Sequence, residues 1–199
     1  MGYIQIHRRI NALKLAGACA QLGARMGTTS CISGLSYTSL RYLLYDRNSE
    51  NRGRNMASVV FWYDKASYAE KAHACMFATI FMRIYDLHPA GPHYSAGEAL
   101  IDSYTLYAER CHSIRLISID RAFLLACHLK GIWKQRTISL LLHRCSHCGC
   151  QSIVHRDDVL GMTQCIFCEI LKKCTYAHVS RLFPLPNRLC TSRARNNQP

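Results

Sequence analysis

Arg144 to Cys168 reads RCSHCGCQSIVHRDDVLGMTQCIFC. The stretch holds Cys145, Cys148, Cys150, Cys165 and Cys168, with His147, His155, Asp157 and Asp158 among them. Cys145 and Cys148 form one C-x2-C pair, and Cys165 and Cys168 form another. The segment between them, residues 149–164, has the length found between the ligand pairs of a four-thiolate zinc site. Two thiolates three positions apart on a tight knuckle reach one ion, and a second knuckle completes a tetrahedron. A module this small has little apolar core, so metal binding would supply its folding free energy. One structural zinc per chain is therefore expected on Cys145, Cys148, Cys165 and Cys168. Iron accepts the same ligands, and spacing alone does not separate the two metals. Cys150, His147 and His155 are spare candidates. Cys150 could replace Cys148 only by stretching the knuckle to C-x4-C.

Four protein thiolates leave no open position for a reacting water, which argues against a catalytic metal. The other enzyme signatures are missing from the sequence. No His is followed by Glu at the next position or the one after, so neither H-E-x-x-H nor the H-x-E of zinc deaminases occurs. There is no G-x-S-x-G and no phosphate-binding glycine loop. The reading is therefore non-enzymatic.

The rest of the 199-residue chain is different in texture. Hydrophobic residues make up 49%, enough for a real core. The longest apolar run, Ala74 to Met82, stops at Arg83 and is too short to span a bilayer. His7, Arg8 and Arg9 precede NALKLAGACA, but Lys14 interrupts this short apolar segment, so an amphipathic helix is expected there rather than an export signal. A reducing, cytoplasmic setting follows, in which Cys19, Cys31, Cys75, Cys111 and Cys127 behave as small core hydrophobes.

Lys and Arg number 25 against 12 Asp and Glu, a net charge of +13. That excess favours a polyanionic partner, nucleic acid first. No acid follows Glu169, whereas Lys172, Lys173, Arg181, Arg188, Arg193 and Arg195 all do. A second basic cluster comprises Arg41, Arg47, Arg52 and Arg54.

Helical signals dominate up to about Ile132. Ser95 and Glu98 stand at capping-box spacing before ALIDSYTLYAERC. SIDRAFLLACHLKG carries Ile119, Phe123, Leu124 and Cys127 on a helical period and ends at Gly131. ASYAEKAHACMFATIFMRIYDL reads as a central buried helix stopping before Pro89, with His73 a satisfied helix histidine. The apolar surface of Ala66 to Ile84 and of the helix around Phe123 exceeds what a small helical domain easily buries alone, and a partner surface is expected there. TISLLLHRC suits a strand entering the cysteine module. The division expected is a helical domain over 1–135, a zinc-binding module over 136–170 and a basic, poorly ordered tail over 171–199.

Leu22 to Asn55 is the other informative stretch. A helix through Leu22 and Met26 is expected to end near Gly27, followed by a small-residue connection. Ser36 then caps a second helix with Leu40, Leu43 and Leu44 inward and Tyr37, Thr38, Ser39, Arg41 and Tyr45 outward. A short helix presenting hydroxyls and Arg after a turn suits a helix-turn-helix reader of DNA. It suits an ordinary helical hairpin with a solvated face equally well.

At this point the sequence resembles the bacterial flagellar transcriptional activator FlhC family. The resemblance runs from about Leu15 to Ile170. It rests on LGAR followed by LSYTSLRYLLYD, on AHACMF, ALIDSYTLYAERC and RAFLLACHLKGI, and on the two separated C-x2-C pairs. It implies a cytoplasmic protein that joins FlhD in a heterohexamer, binds upstream of flagellar operons and recruits RNA polymerase. It also implies zinc on the four module cysteines. The expected fold is mainly α: a helical N-terminal domain with a helix-turn-helix-like segment, a four-cysteine zinc module and a basic tail. The expected partners are double-stranded promoter DNA, FlhD and RNA polymerase, with no membrane. Ser36, Tyr37, Ser39, Arg41, Arg47, Arg52, Arg54, Lys172 and Lys173 are the expected DNA contacts. The competing reading is a zinc-ribbon RNA-binding or adaptor protein.

Overall fold

A computed structural model describes residues 2–44, 59–87, 94–111, 114–161 and 164–182. The described chain is mainly helical, in the order α1 (Gly2–Gln21), α2 (Met26–Ser33), α3 (Tyr37–Leu43), α4 (Val59–Lys65), α5 (Tyr68–Leu87), α6 (Ala96–Arg110) and α7 (Ile119–Lys130). A hairpin of β1 (Leu140–Arg144) and β2 (Gln151–His155) follows, then a 3-10 turn (Arg156–Gly161) and α8 (Ile166–Leu182). No helix among the described residues is long and apolar enough to cross a membrane.

The centre is α5. The Ser67 hydroxyl accepts from the Glu70 N–H, and Glu70 reaches back to the Ser67 N–H at 2.9 Å, so the helix starts on a reciprocal cap. Ala74, Cys75, Phe77, Ala78 and Phe81 are its buried residues. Phe77 stacks on Phe81 at 6.0 Å and meets Tyr104 and Tyr107 of α6 edge-on. His73 Nδ1 lies 2.8 Å from the Tyr107 hydroxyl, so this histidine is satisfied within the fold. The surplus of apolar surface expected on α5 and α7 is largely consumed internally, because both helices pack into the same core.

The local signals read in α6 and α7 are present. Ser95 and Glu98 form a capping box. Ser118 caps α7, and Gly131 ends it in the left-handed region, its N–H donating to the Cys127 carbonyl.

The N-terminal region differs from expectation in one element. The connection expected after Gly27 is itself a helix, α2. The break comes earlier, at Leu22–Arg25, where Gly23 takes φ +77°. The α2 sequence MGTTSCIS has weak helix propensity, but burial of Thr28, Thr29 and Ile32 overrides it. Asp120, in the first turn of α7, accepts from the Arg25 N–H at 3.0 Å and so anchors the start of α2 to the core. Gly97 of α6 lies close under this region. A Cβ there would stand 3.1 Å from Ile32 Cγ2 and 3.2 Å from Leu15 Cδ1, so glycine is what permits the approach.

The hairpin pairs antiparallel with Leu142 opposite Ile153 and Arg144 opposite Gln151. It sits on α5 and α4: the Ile153 N–H donates to Cys75 Sγ of α5 at 3.3 Å, and the Tyr63 hydroxyl of α4 donates to the Ile153 carbonyl at 3.3 Å. Leu140, Ile153 and Ile166 belong to the same apolar core as the helices. Past residue 170, where a poorly ordered tail was expected to begin, α8 continues to Leu182. Leu171 to Leu182 contains no Pro or Gly, and Pro184 is the first residue a helix could not absorb. Residues 183–199 lie outside the described residues, as do Arg188, Arg193 and Arg195.

Candidate metal centre and N-terminal helical hairpin

The two C-x2-C pairs arrive on different scaffolds. The first is the hairpin loop. The Cys145 N–H donates to the Cys150 carbonyl and the Gly149 N–H to the Cys145 carbonyl, both at 2.9 Å. Gly149, at φ +75°, supplies the left-handed residue this tight knuckle requires. The second pair is a helix start. Cys165 immediately precedes α8, its carbonyl accepting from the Glu169 N–H, and Cys168 lies in the first turn.

These scaffolds bring the four sulfurs within 4.8 Å of one another. Cys145 Sγ is 3.9 Å from Cys168 Sγ, and Cys148 Sγ is 3.4 Å from Cys165 Sγ. A disulfide would need about 2.05 Å. A zinc tetrahedron with bonds of about 2.3 Å has sulfur–sulfur edges of roughly 3.8 Å. The donor set thus fits a tetrahedral, thiophilic metal, and all four sulfurs would be needed to hold it. Cys150 stands outside the group and is exposed. His155 is engaged elsewhere, its Nε2 lying 2.9 Å from Asp64 Oδ1.

Thiol electrostatics separate these cysteines from those of the core. Backbone N–H groups of Cys148 and then His147 pull the Cys145 thiol down to about 6, and the Cys150 N–H lowers Cys148. Desolvation raises Cys165, and desolvation with the neighbouring thiols pushes Cys168 up to about 12. Four crowded sulfurs cannot all become anions without a cation among them. The core cysteines are simply buried: desolvation pushes Cys19 up to about 12 and Cys127 up to about 11. Cys19 and Cys127 are thus the apolar packing expected of them; of the other three, Cys75 is buried but accepts from the Ile153 N–H, and Cys31 and Cys111 are only half-buried.

Earlier in the chain, α2, a three-residue turn and α3 form a helix-turn-helix arrangement. Gly34 takes φ +73° in the turn, its N–H donating to the Ser30 carbonyl. Ser36 caps α3, accepting from the Ser39 N–H.

The sequence matches the model of the family described as Flagellar transcriptional activator (FlhC), over residues 3–179. The chain belongs to the FlhC family. No curated protein matches it. Membership in FlhC implies a flagellar transcriptional activator, a regulator rather than an enzyme.

The DNA-contact candidates of this FlhC chain are distributed unevenly. Ser36 and Ser39 are committed to the cap and to each other, their hydroxyls 2.9 Å apart. Tyr37 and Arg41 are exposed on α3. Of the three leucines expected inward, only Leu40 is buried, packed with Ala16 of α1. Leu43 is 57% and Leu44 38% exposed, because a helix this short seats only about one turn on its neighbour. Tyr42 is more exposed still, a residue the periodicity did not single out. Lys172 and Lys173 lie exposed on α8, which packs on α5 rather than on the α2–α3 unit. Lys173 Nζ sits 3.6 Å from the centre of the Tyr68 ring. Arg47, Arg52 and Arg54 lie outside the described residues.

Proposed function

We propose that this FlhC-family chain binds double-stranded promoter DNA upstream of flagellar operons, acts there with FlhD in a heterohexamer, and recruits RNA polymerase in the cytoplasm. The observation that carries the reading is a family of transcriptional activators joined to a helix-turn-helix unit that exposes Tyr37, Arg41 and Tyr42. Phosphate contacts from Arg and Lys would supply much of the affinity and base-edge contacts from α3 the discrimination. The flanking Arg47, Arg52 and Arg54, and Lys172 and Lys173 on α8, are assigned to phosphate contacts.

In the same reading, Cys145, Cys148, Cys165 and Cys168 hold one structural zinc. When bound, it would cross-link the hairpin loop to the start of α8. With four protein ligands it has no position for a substrate.

Gel-shift titrations test the DNA reading, using the chain co-expressed with FlhD on promoter and scrambled duplexes. Arg41→Ala should lower the promoter-to-scrambled ratio, by on the order of 1–3 kcal/mol for a lost base contact. Lys172→Ala should weaken both duplexes alike and flatten the salt dependence. An unchanged ratio in Arg41→Ala would remove α3 as the reader. Preference for single-stranded RNA over either duplex would favour an RNA-binding or adaptor role.

A further inference from the structure

The four sulfurs of the metal centre are not equally reachable from solvent. Cys145, Cys165 and Cys168 are buried, at 7%, 2% and 5% exposure, whereas Cys148 is exposed. The next cysteine along the knuckle, Cys150, is exposed as well and is not one of the four. It nevertheless touches the ligand set, because its N–H and its thiol both approach the Cys148 sulfur as hydrogen-bond partners. The one exposed ligand thus has a spare thiol in contact with it.

The local backbone keeps this pair together. Gly149, at φ +75°, turns the chain between the two cysteines, and the Cys145 N–H holds the Cys150 carbonyl at 2.9 Å. Residues two apart have Cα atoms at most about 7 Å apart, and a turn shortens this into the roughly 4.4–6.8 Å that a disulfide spans. A thiol on a metal is a thiolate, and the thiolate is the form that attacks an oxidant. Thiolate character, solvent access and a resolving thiol alongside are what make a cysteine redox-responsive. With the metal bound, Cys148 has all three, and Cys145, Cys165 and Cys168 lack the second. Cys165 competes with Cys150 as resolving thiol, its sulfur 3.4 Å from that of Cys148. It would itself be held on the metal, however, whereas Cys150 is free to attack.

We propose that Cys148 and Cys150 form a peroxide-responsive thiol pair, whose oxidation to a disulfide withdraws Cys148 from the metal. The inference rests on the zinc reading above. The Cys148 thiolate attacks one oxygen of a hydroperoxide. The O–O bond breaks, an S–O bond forms, and the other oxygen takes a proton from solvent and leaves as alcohol, or as water from hydrogen peroxide. Cys150 then gives up its proton and attacks the Cys148 sulfur, forming the S–S bond and releasing water as the S–O bond breaks. The two thiols lose two electrons, and the peroxide gains them. Three thiolates remain, too few to complete the tetrahedron, and the hairpin loop is held to α8 less firmly. A small dithiol reverses the step by exchange.

The experiment uses the full chain purified without chelator. Zinc content is measured first, and hydrogen peroxide is then added in steps. A chromogenic chelator reports released zinc, and tryptic peptides are weighed without reduction. Cleavage after Arg144, Arg156 and Lys172 puts Cys145, Cys148 and Cys150 in one peptide and Cys165 and Cys168 in another. Peptide 145–156 should become lighter by two hydrogens as the zinc is lost, with fragment spectra placing the link between Cys148 and Cys150. Dithiothreitol with added zinc should restore the starting state. Cys150→Ser should begin with the same zinc content and never form the link. Its Cys148 should be trapped as a sulfenic acid by dimedone several-fold more than in the unsubstituted chain. A first link that joins the two peptides, or that joins Cys145 to Cys148, would overturn the inference. So would dimedone labelling that Cys150→Ser leaves unchanged, or zinc retained with Cys148 unmodified at peroxide concentrations that oxidise free glutathione. Each of these leaves the zinc reading standing, whereas a chain without zinc at the outset would overturn both.

Discussion

Cys145 Sγ and Cys168 Sγ face each other across 3.9 Å, one on the hairpin loop and one in the first turn of α8. Phe167 packs on the sulfur cluster, and Ile153 of the hairpin and Ile166 of α8 share the main apolar core beneath it. Serine substitution at Cys145, Cys148, Cys165 or Cys168 should therefore lower the zinc content of the purified chain from one per molecule towards zero, as read by elemental analysis. Cys150→Ser should keep the metal. Zinc lost from Cys150→Ser but retained by Cys148→Ser would reassign the ligand.

Chelation of the bound metal should loosen the hairpin loop before the helical core. Hydrogen exchange of residues 145–150 should speed up, whereas α5 and α6 amides, held by Phe77, Tyr104 and Tyr107, should stay protected. Simultaneous exchange throughout the chain would instead make the metal essential to the global fold.

The Ser36 hydroxyl is the cap of α3, accepting from the Ser39 N–H at 3.2 Å. Ser36→Ala should cost about 1 kcal/mol in chemical denaturation. Ser36→Asp should restore most of it, because a carboxylate caps equally well. The two variants separate a structural serine from one that touches DNA, since Asp would repel a phosphate while preserving the helix.

Phe77→Ala removes a fully buried ring that meets Phe81, Tyr104 and Tyr107. A loss of about 3–5 kcal/mol is expected, the usual range for a large aromatic truncated in a packed core. Met76→Ala, on the exposed side of the same helix, should cost far less. Comparable losses at the two positions would mean that α5 is covered on both faces.

Burial lowers the pKa of His73 below 6.5, and burial together with the nearby His155 lowers that of His128. The unfolded chain therefore binds these protons more readily than the folded one. Their effect is absent above about pH 6.5 and becomes destabilising as pH falls below it. Denaturation midpoints should drop between pH 7 and pH 5.5. A His73→Gln/His128→Gln variant should show a flatter pH dependence over that window.

The sequence by itself determined the features that depend on near neighbours. The two C-x2-C pairs, the reciprocal Ser95–Glu98 cap, the Gly131 stop and the long apolar run of α5 are local, because caps, knuckles and helical periods are set within a few residues. The tertiary structure alone decided which faces are covered. It made a helix of GTTSCIS by burying Thr28, Thr29 and Ile32, and tied that helix to the core through Asp120, ninety-five residues from Arg25. It buried the apolar surface of α5 under α6, α7 and the hairpin, left Leu43 and Leu44 in solvent, and left the Ile6–Ile10–Leu13 stripe of α1 open. Burial is a property of pairs of elements far apart along the chain, and no spacing within one helix contains it.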